Sequence, residues 1–137
     1  IKPTAKKGYR YDWLGTLGTN DLEKSYAFYD ALLVTIGAGR FVENEQFIAW
    51  ATTSGQSGLS VTKPFDGQEA TLGNGVMVAL MMDSNEKVDA FYQKAIELGA
   101  IVKVLQDREV KFQGSTLVIF RDLDGNKLNA FCMTMPG

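Results

Sequence analysis

Residues 23–29 read Glu-Lys-Ser-Tyr-Ala-Phe-Tyr, and residues 86–92, 63 positions later, read Glu-Lys-Val-Asp-Ala-Phe-Tyr. Five of the seven positions are identical, and self-similarity at a fixed offset is typical of a chain built from copies of one unit. In both copies the apolar residues follow the spacing of one face of a helix. The repeat therefore predicts two amphipathic helices at equivalent positions in two related halves.

Each predicted helix carries its own start and stop signals. Short polar residues precede it, where a side-chain oxygen can accept a hydrogen bond from the free N–H groups of the opening turn. The capping candidates are Asn20 or Asp21 for the first helix and Asp83 or Ser84 for the second. A glycine follows each helix, Gly37 in the first half and Gly99 in the second, where a left-handed backbone costs least.

Strand-length apolar segments surround both helices. One segment precedes each helix, at residues 13–19 and 76–82. The segments after the helices are 40–43, 46–52 and 58–62 in the first half, and 101–105, 109–112, 116–121 and 127–133 in the second. We predict an α+β fold of two tandem βαβββ modules, because each half repeats the same order of elements.

The predicted domain limits follow from this pattern. They are a basic N-terminal arm at residues 1–10, a first module at 11–63, a linker at 64–75 and a second module at 76–137. A module of about 60 residues buries too little apolar surface to be stable alone. We therefore expect the two modules to share a core and to form one domain with a cleft.

Histidine is absent from the 137 residues, and cysteine occurs once. Histidine is the commonest metal ligand, the usual general base near neutral pH, and the residue that activates serine or cysteine in hydrolytic triads. A single cysteine, Cys132, can form neither an internal disulfide nor a multi-cysteine zinc site, and we expect it to be structural. Much ordinary enzyme chemistry is thereby excluded.

The charge distribution also excludes classes of partner. The net charge is −2, yet residues 1–10 hold four basic residues and no acid, so the remainder is acidic. An acidic body does not suit nucleic acid, which requires lysine and arginine gathered on one face. No segment reaches the roughly 18 consecutive apolar residues of a membrane helix, and residues 1–10 lack the apolar centre of a signal peptide. We expect a cytoplasmic protein with no nucleic-acid or membrane partner.

Three motifs resemble the vicinal oxygen chelate superfamily, which contains glyoxalase I, extradiol dioxygenases, fosfomycin-resistance transferases and bleomycin-binding proteins. They lie at residues 20–29, at residues 64–75, and at residues 120–128, which read Phe-Arg-Asp-Leu-Asp-Gly-Asn-Lys-Leu. The last is similar to the family signature R-D-P-D-G-N-x-[LIV]-E, with leucine in place of proline. The resemblance implies the glyoxalase/bleomycin resistance/dioxygenase fold, a cleft-bearing curved mixed sheet, and a homodimer that binds a small molecule.

The resemblance also implies where a metal would be held. Family enzymes use side chains from the first and last strand of each half, positions that fall at Leu14 and Ser60 in the first half and at Met77 and Asn129 in the second. None of the four is a histidine or a carboxylate, and hydroxyl, thioether and amide groups supply no negative charge. We therefore expect no metal and no other cofactor.

The favoured function is a metal-independent small-molecule-binding protein that sequesters an aromatic, amphipathic or cationic ligand in the cleft between the modules. Trp13, Trp50 and Phe131 would supply aromatic contacts, and Ser60 and Asn129 would orient polar groups of the ligand. The complete predicted ligand-binding set is Trp13, Leu14, Trp50, Ser60, Met77, Asn129 and Phe131.

An enzymatic alternative stays open at this point. It is a glyoxalase- or dioxygenase-like lyase or isomerase, with displaced metal ligands or with a buried carboxylate as general base. The candidate bases are Glu45, Glu69 and Glu109. A third possibility is an interaction module whose cleft is vestigial.

Overall fold

The computed structural model describes residues 14–52, 58–102, 110–112 and 115–133. Its helices are α1 (Leu22–Leu33), a 3-10 turn (Val34–Ile36) and α2 (Asn85–Glu97). The strands are β1 (Leu14–Gly18), β2 (Gly39–Glu43), β3 (Phe47–Ala51), β4 (Gly58–Thr62), β5 (Val78–Met81), β6 (Val110–Phe112), β7 (Ser115–Arg121) and β8 (Lys127–Phe131). The predicted α+β fold with two βαβββ halves is confirmed. The chain divides into two compact units, Ile1–Leu72 and Gly73–Gly137.

Both helices begin at caps that the repeat relates. The Asp21 carboxylate accepts a hydrogen bond from the Lys24 backbone N–H at 3.1 Å, and the Ser84 hydroxyl accepts one from the Lys87 N–H at 3.2 Å. These residues are 63 positions apart, the offset of the repeat. The capping role is therefore the same in both halves, although a carboxylate performs it in one and a hydroxyl in the other.

The first unit contains a four-stranded sheet in the order β1-β4-β3-β2, with β1 parallel to β4 and the other pairs antiparallel. Trp50 on β3 packs its indole against the Tyr29 ring of α1, with ring centroids 5.7 Å apart. Both side chains are buried. One face of the sheet is therefore covered by α1, and the residues that alternate with Trp50 and its neighbours lie on the other face.

A register shift interrupts β2 between Arg40 and Val42. Such a bulge lets two consecutive side chains point to the same side of a sheet. Phe41 and Val42 accordingly join one apolar cluster with Ala49 and Ala51, and Phe47 packs against it.

The second unit repeats this plan in the order β5-β8-β7-β6, with β5 parallel to β8. The Phe120 ring of β7 meets the Phe91 ring of α2 at 6.0 Å between centroids. Val118, Phe120, Leu128 and Ala130 are all fully buried. These alternate positions of β7 and β8 therefore form the face covered by α2.

Two details differ from the predicted strands. In place of the predicted strand at 101–105, Ile101 forms an isolated antiparallel bridge with Arg121. Residues 103–109, which include the rest of that segment and the start of the predicted segment 109–112, lie outside the described residues. The first strand of the second half begins at Val78, not at residue 76. In the part of the chain that the structure describes, no helix combines the length and apolarity needed to cross a membrane.

Candidate functional site

Ser60 lies on the face of the first sheet that points away from α1. Its neighbour Leu59 pairs with Trp50 on the helix side, so the alternation of β4 turns Ser60 to the opposite side. Thr16 is its register partner on β1, and the two hydroxyl oxygens are 2.7 Å apart. Ser60 is only 1% exposed, and Leu14 at the start of β1 is 37% exposed. The Ser60 hydroxyl is thus engaged by a neighbouring strand.

Asn129 occupies the corresponding face of the second sheet. It pairs with Ala79 on β5 and with Ile119 on β7, whereas its neighbour Leu128 pairs with Phe120 on the α2 side. The Asn129 side-chain amide donates a hydrogen bond from Nδ2 to the sulfur of Met77 at 3.4 Å. The structure therefore brings together Met77 and Asn129, two of the four positions that the sequence singled out.

The amide oxygen of Asn129 has no such partner. Asn129 is 4% exposed, and within the described residues its Oδ1 atom is buried and receives no hydrogen bond. Native proteins satisfy most buried polar atoms, so an unsatisfied one calls for an explanation.

The side of the second sheet that points away from α2 is here named the open face. Apolar side chains surround Asn129 on it, in contrast to the fully buried residues of the helix side. They are Met77, Ala79, Met81, Leu117, Ile119 and Phe131. Met77 is 42% exposed and Met81 is 65% exposed. The apolar side chains of the open face are thus more exposed to solvent than those of the helix side.

Trp50, by contrast, is placed away from Ser60. It is 1% exposed, it lies on the α1 side of its sheet, and its indole N–H donates to Asp30 Oδ1 at 2.8 Å. The alternation of β3 sends it into the core, and we leave it out of the candidate site. Phe131 does lie on the open face, half-buried and opposite Met81. Trp13, a further predicted contact, lies outside the described residues.

The residues present do not fit the divalent metal that the family resemblance implies. Within the described residues, no group of three or more His, Cys, Asp or Glu side chains could hold an ion. Asp122, the most buried carboxylate of the signature turn, accepts hydrogen bonds from the backbone N–H groups of Asp124 and Asn126 at 3.0 and 2.9 Å. Its oxygens therefore shape the turn.

Residues 10–130 match the sequence model of the Glyoxalase/Bleomycin resistance protein/Dioxygenase superfamily. The chain belongs to this superfamily. No curated protein matches the chain. The match spans both units, as the predicted resemblance requires, so the recognition from residues 20–29, 64–75 and 120–128 is confirmed.

Solved structures of the superfamily agree in fold. A glyoxalase/bleomycin resistance protein from Albidiferax ferrireducens T118 is 34% identical with a TM-score of 0.78, covering 88% of this chain and 97% of its own. A lactoylglutathione lyase from Agrobacterium tumefaciens is 19% identical, with a TM-score of 0.63 over 88% of this chain and 91% of its own. TnmS3, an antibiotic binding protein from Streptomyces sp. CB03234, is 20% identical, with a TM-score of 0.62 over 88% and 93%. The last two comparisons concern the fold alone.

Two of the three carboxylates considered as general bases are placed by the structure, and both lie at the surface. Glu45 and Glu69 are exposed, and Glu109 lies outside the described residues. An exposed carboxylate lacks the desolvation that tunes a general base toward neutral pH. Neither Glu45 nor Glu69 has the surroundings that the enzymatic alternative needs.

Sequence reasoning missed a polar groove in the first unit. It has a volume of about 740 Å³ and lies beside the start of α1. Arg40 on its wall pairs with Asp30 and Glu43, and its guanidinium lies 4.7 Å from the centre of the Tyr26 ring. The hydrogen bond that Arg40 donates to the Asp30 carboxylate raises the pKa of Arg40 above its ordinary value. The Arg40 guanidinium is thus occupied by contacts within the first unit. No motif in the sequence indicated the groove.

Proposed function

We propose that this superfamily member is a metal-independent small-molecule-binding protein that sequesters an aromatic, amphipathic or cationic ligand. The observation that carries the proposal is the chemistry at the four positions where relatives would hold a metal. Leu14 has no donor atom, the Ser60 hydroxyl is paired with Thr16, and the Asn129 amide is paired with Met77. Catalytic divalent ions require imidazole, carboxylate or thiolate donors, and none of the four side chains at these positions carries such a donor.

The open face supplies the apolar part of the proposed site. Met77, Met81 and Phe131 offer two adaptable thioethers and an aromatic ring. Methionine adjusts to irregular shapes because its side chain is unbranched and polarisable, and such surfaces accept varied apolar ligands. The fold is shared both with the Streptomyces antibiotic binding protein and with the Agrobacterium lyase, so the proposal depends on the chemistry of the site. The net charge of −2 favours cationic over anionic ligands.

We also infer that the chain forms a homodimer. Within each subunit we propose the arm, first module, linker and second module at the limits given in the sequence analysis. Exposed apolar side chains outside the open face, Val76 and Leu123 among them, would lose contact with water if a second copy covered them. Sedimentation velocity over a range of protein concentrations tests this, and a monomer at every concentration would contradict it.

The first prediction concerns metal dependence. We expect isothermal titration calorimetry with a panel of cationic aromatic compounds to identify ligands whose dissociation constants are unchanged by EDTA. The reason is that the open face binds through apolar contacts and hydrogen bonds, which need no ion. Protein purified without chelator should contain no stoichiometric transition metal by mass spectrometry. A stoichiometric metal whose removal abolishes binding would favour the lyase or dioxygenase alternative.

A second prediction concerns the open face itself. Met81→Gln should weaken binding of the panel ligands about tenfold, because it places an amide of similar shape where the ligand would bury a thioether. Val34→Gln is the matched control, since Val34 is also 65% exposed but lies in the 3-10 turn of the first unit. Calorimetry should show unchanged affinity for the control. Equal losses in both variants would disprove a role for the open face.

A further inference from the structure

The unsatisfied Oδ1 atom of Asn129 is the starting point. The position around it on the open face is apolar, because the two register partners of Asn129 are Ala79 and Ile119. Neither side chain can donate a hydrogen bond. A carbonyl oxygen left without a donor in such surroundings is costly, and a ligand that supplies the donor recovers that cost.

The orientation of the amide is fixed by Met77. A thioether sulfur has lone pairs and no hydrogen, so it can only accept a hydrogen bond. The nitrogen of the Asn129 amide must therefore face the Met77 sulfur, 3.4 Å away, and a flipped amide would set two acceptors against each other. The oxygen is thus the atom left available for a partner.

Met77 also gives a ligand a route to this atom. It is 42% exposed, it contacts the same amide, and its side chain has several rotatable bonds. A ligand that packs against the exposed part of Met77 therefore lies beside the Asn129 amide, and the sulfur keeps its contact with Nδ2. The corresponding polar group of the first unit, the Ser60 hydroxyl, already has a partner in Thr16. Of these two polar positions, Asn129 is the one that lacks a partner for part of its side chain.

We propose that the ligand of the open face is an apolar molecule that carries an N–H or O–H group and donates that hydrogen to Asn129 Oδ1. This rests on the proposed small-molecule-binding function and narrows it to a ligand class. Aromatic compounds with acceptor atoms alone, or with the donor blocked by a methyl group, are discriminated against because they leave Oδ1 unsatisfied. Specificity of this kind comes from a buried polar atom of the protein that only one class of ligand can pair.

The test uses carbazole and N-methylcarbazole, two planar fluorescent probes that differ in one N–H donor. Their binding to the full chain is followed by fluorescence anisotropy in the presence of EDTA. We expect carbazole to bind about tenfold more tightly than N-methylcarbazole, the size of effect that pairing one buried acceptor produces. Asn129→Leu, which removes the acceptor at similar volume, should bring the two affinities together.

A second variant keeps the test decisive if the first one folds poorly. Asn129→Thr keeps a hydroxyl oxygen that can accept from carbazole while its hydrogen is donated to the Met77 sulfur, and it should keep a preference for carbazole. Equal binding of the two probes by the unaltered protein would overturn the inference, and so would a preference that survives in Asn129→Leu. No binding of carbazole would also overturn it.

These failures are distinguishable from failure of the proposed function. If the cationic panel binds independently of metal but the carbazoles do not differ, sequestration stands and the ligand class is wrong. If no panel compound binds, the function itself is wrong. A remaining alternative is that a second copy of the chain, not a small molecule, binds the open face. Sedimentation velocity of Asn129→Leu tests this alternative. A changed dimer constant with unchanged probe affinities would assign the open face to self-association and overturn the inference.

Discussion

Replacing Asp30 by alanine is expected to lower the free energy of unfolding by about 3 kcal/mol. Asp30 lies on α1 and accepts hydrogen bonds from Trp50 Nε1 at 2.8 Å and from Arg40 Nε at 2.8 Å. Trp50 is 1% exposed, so its N–H loses a charged acceptor in a position that water reaches only from the partly exposed side of Asp30. Most of the expected loss comes from this stranded donor, since the partly exposed ion pair with Arg40 contributes less.

Urea unfolding followed by circular dichroism measures the loss of stability. Two controls separate the contribution of the ion pair with Arg40 from that of the hydrogen bond with Trp50. Asp30→Asn keeps an oxygen for the indole N–H and should lose about 1 kcal/mol, the contribution of the ion pair. Trp50→Phe removes the stranded donor, so Asp30→Ala should cost much less in that background than in the unaltered chain. Additive losses in the double variant would show that the hydrogen bond between Asp30 and Trp50 is not the cause.

The second large effect is expected at Asp122. Asp122→Ala should lower the free energy of unfolding by about 3 kcal/mol, because three donors lose a buried charged acceptor together. They are the backbone N–H groups of Asp124 and Asn126 and the side-chain amide of Asn126 at 3.0 Å. Asp122 is 1% exposed, and the turn it organises connects β7 to β8, the strand that carries Asn129.

Asp66 provides the matched control for this substitution. Its carboxylate accepts a similar turn hydrogen bond from the Gln68 N–H at 2.9 Å, but it is exposed to water. Asp66→Ala should therefore change stability by less than about 0.5 kcal/mol in the same urea experiment. Comparable losses from Asp66→Ala and Asp122→Ala would mean that burial does not set the cost. Asp122→Asn, which keeps the oxygen for two backbone donors, should fall between them.

Sequence periodicity predicted the elements of this fold but not the direction of individual strand side chains. The repeat located both helices within a few residues, and its polar residues included the caps Asp21 and Ser84. A strand pattern gives two alternating faces without saying which one a helix covers. Trp50 was expected to contact a ligand for this reason, and it packs under α1 instead. The bulge between Arg40 and Val42 also shifts the register of β2 against β3, and the alternation of apolar residues in the sequence did not predict this shift.

The candidate site was predictable as a set of positions and not as a set of contacts. The family resemblance named Ser60, Met77 and Asn129, and the sequence alone showed that none could replace a histidine. Pairing between Met77 and Asn129 joins residues 52 positions apart, which depends on the parallel register of β5 and β8. The same register leaves Asn129 Oδ1 unsatisfied, which is the observation that narrows the proposed class of ligand. The register of strands far apart in sequence cannot be predicted from local residue propensities.

The closure of each sheet within its own half has a consequence for synthesis on the ribosome. The last strand of the first sheet ends at Thr62, and its parallel partner β1 is already present by then. Translation at about 5–20 residues per second leaves several seconds between the synthesis of Thr62 and that of Phe131, where the last strand of the second sheet ends. During that interval the β1 and β4 edges can pair with each other instead of remaining open to strands of neighbouring nascent chains. The order of the strands in the sequence thus lets the parallel pair of the first sheet form before the second sheet is made, and it leaves β1 and β2 as the edges of that sheet.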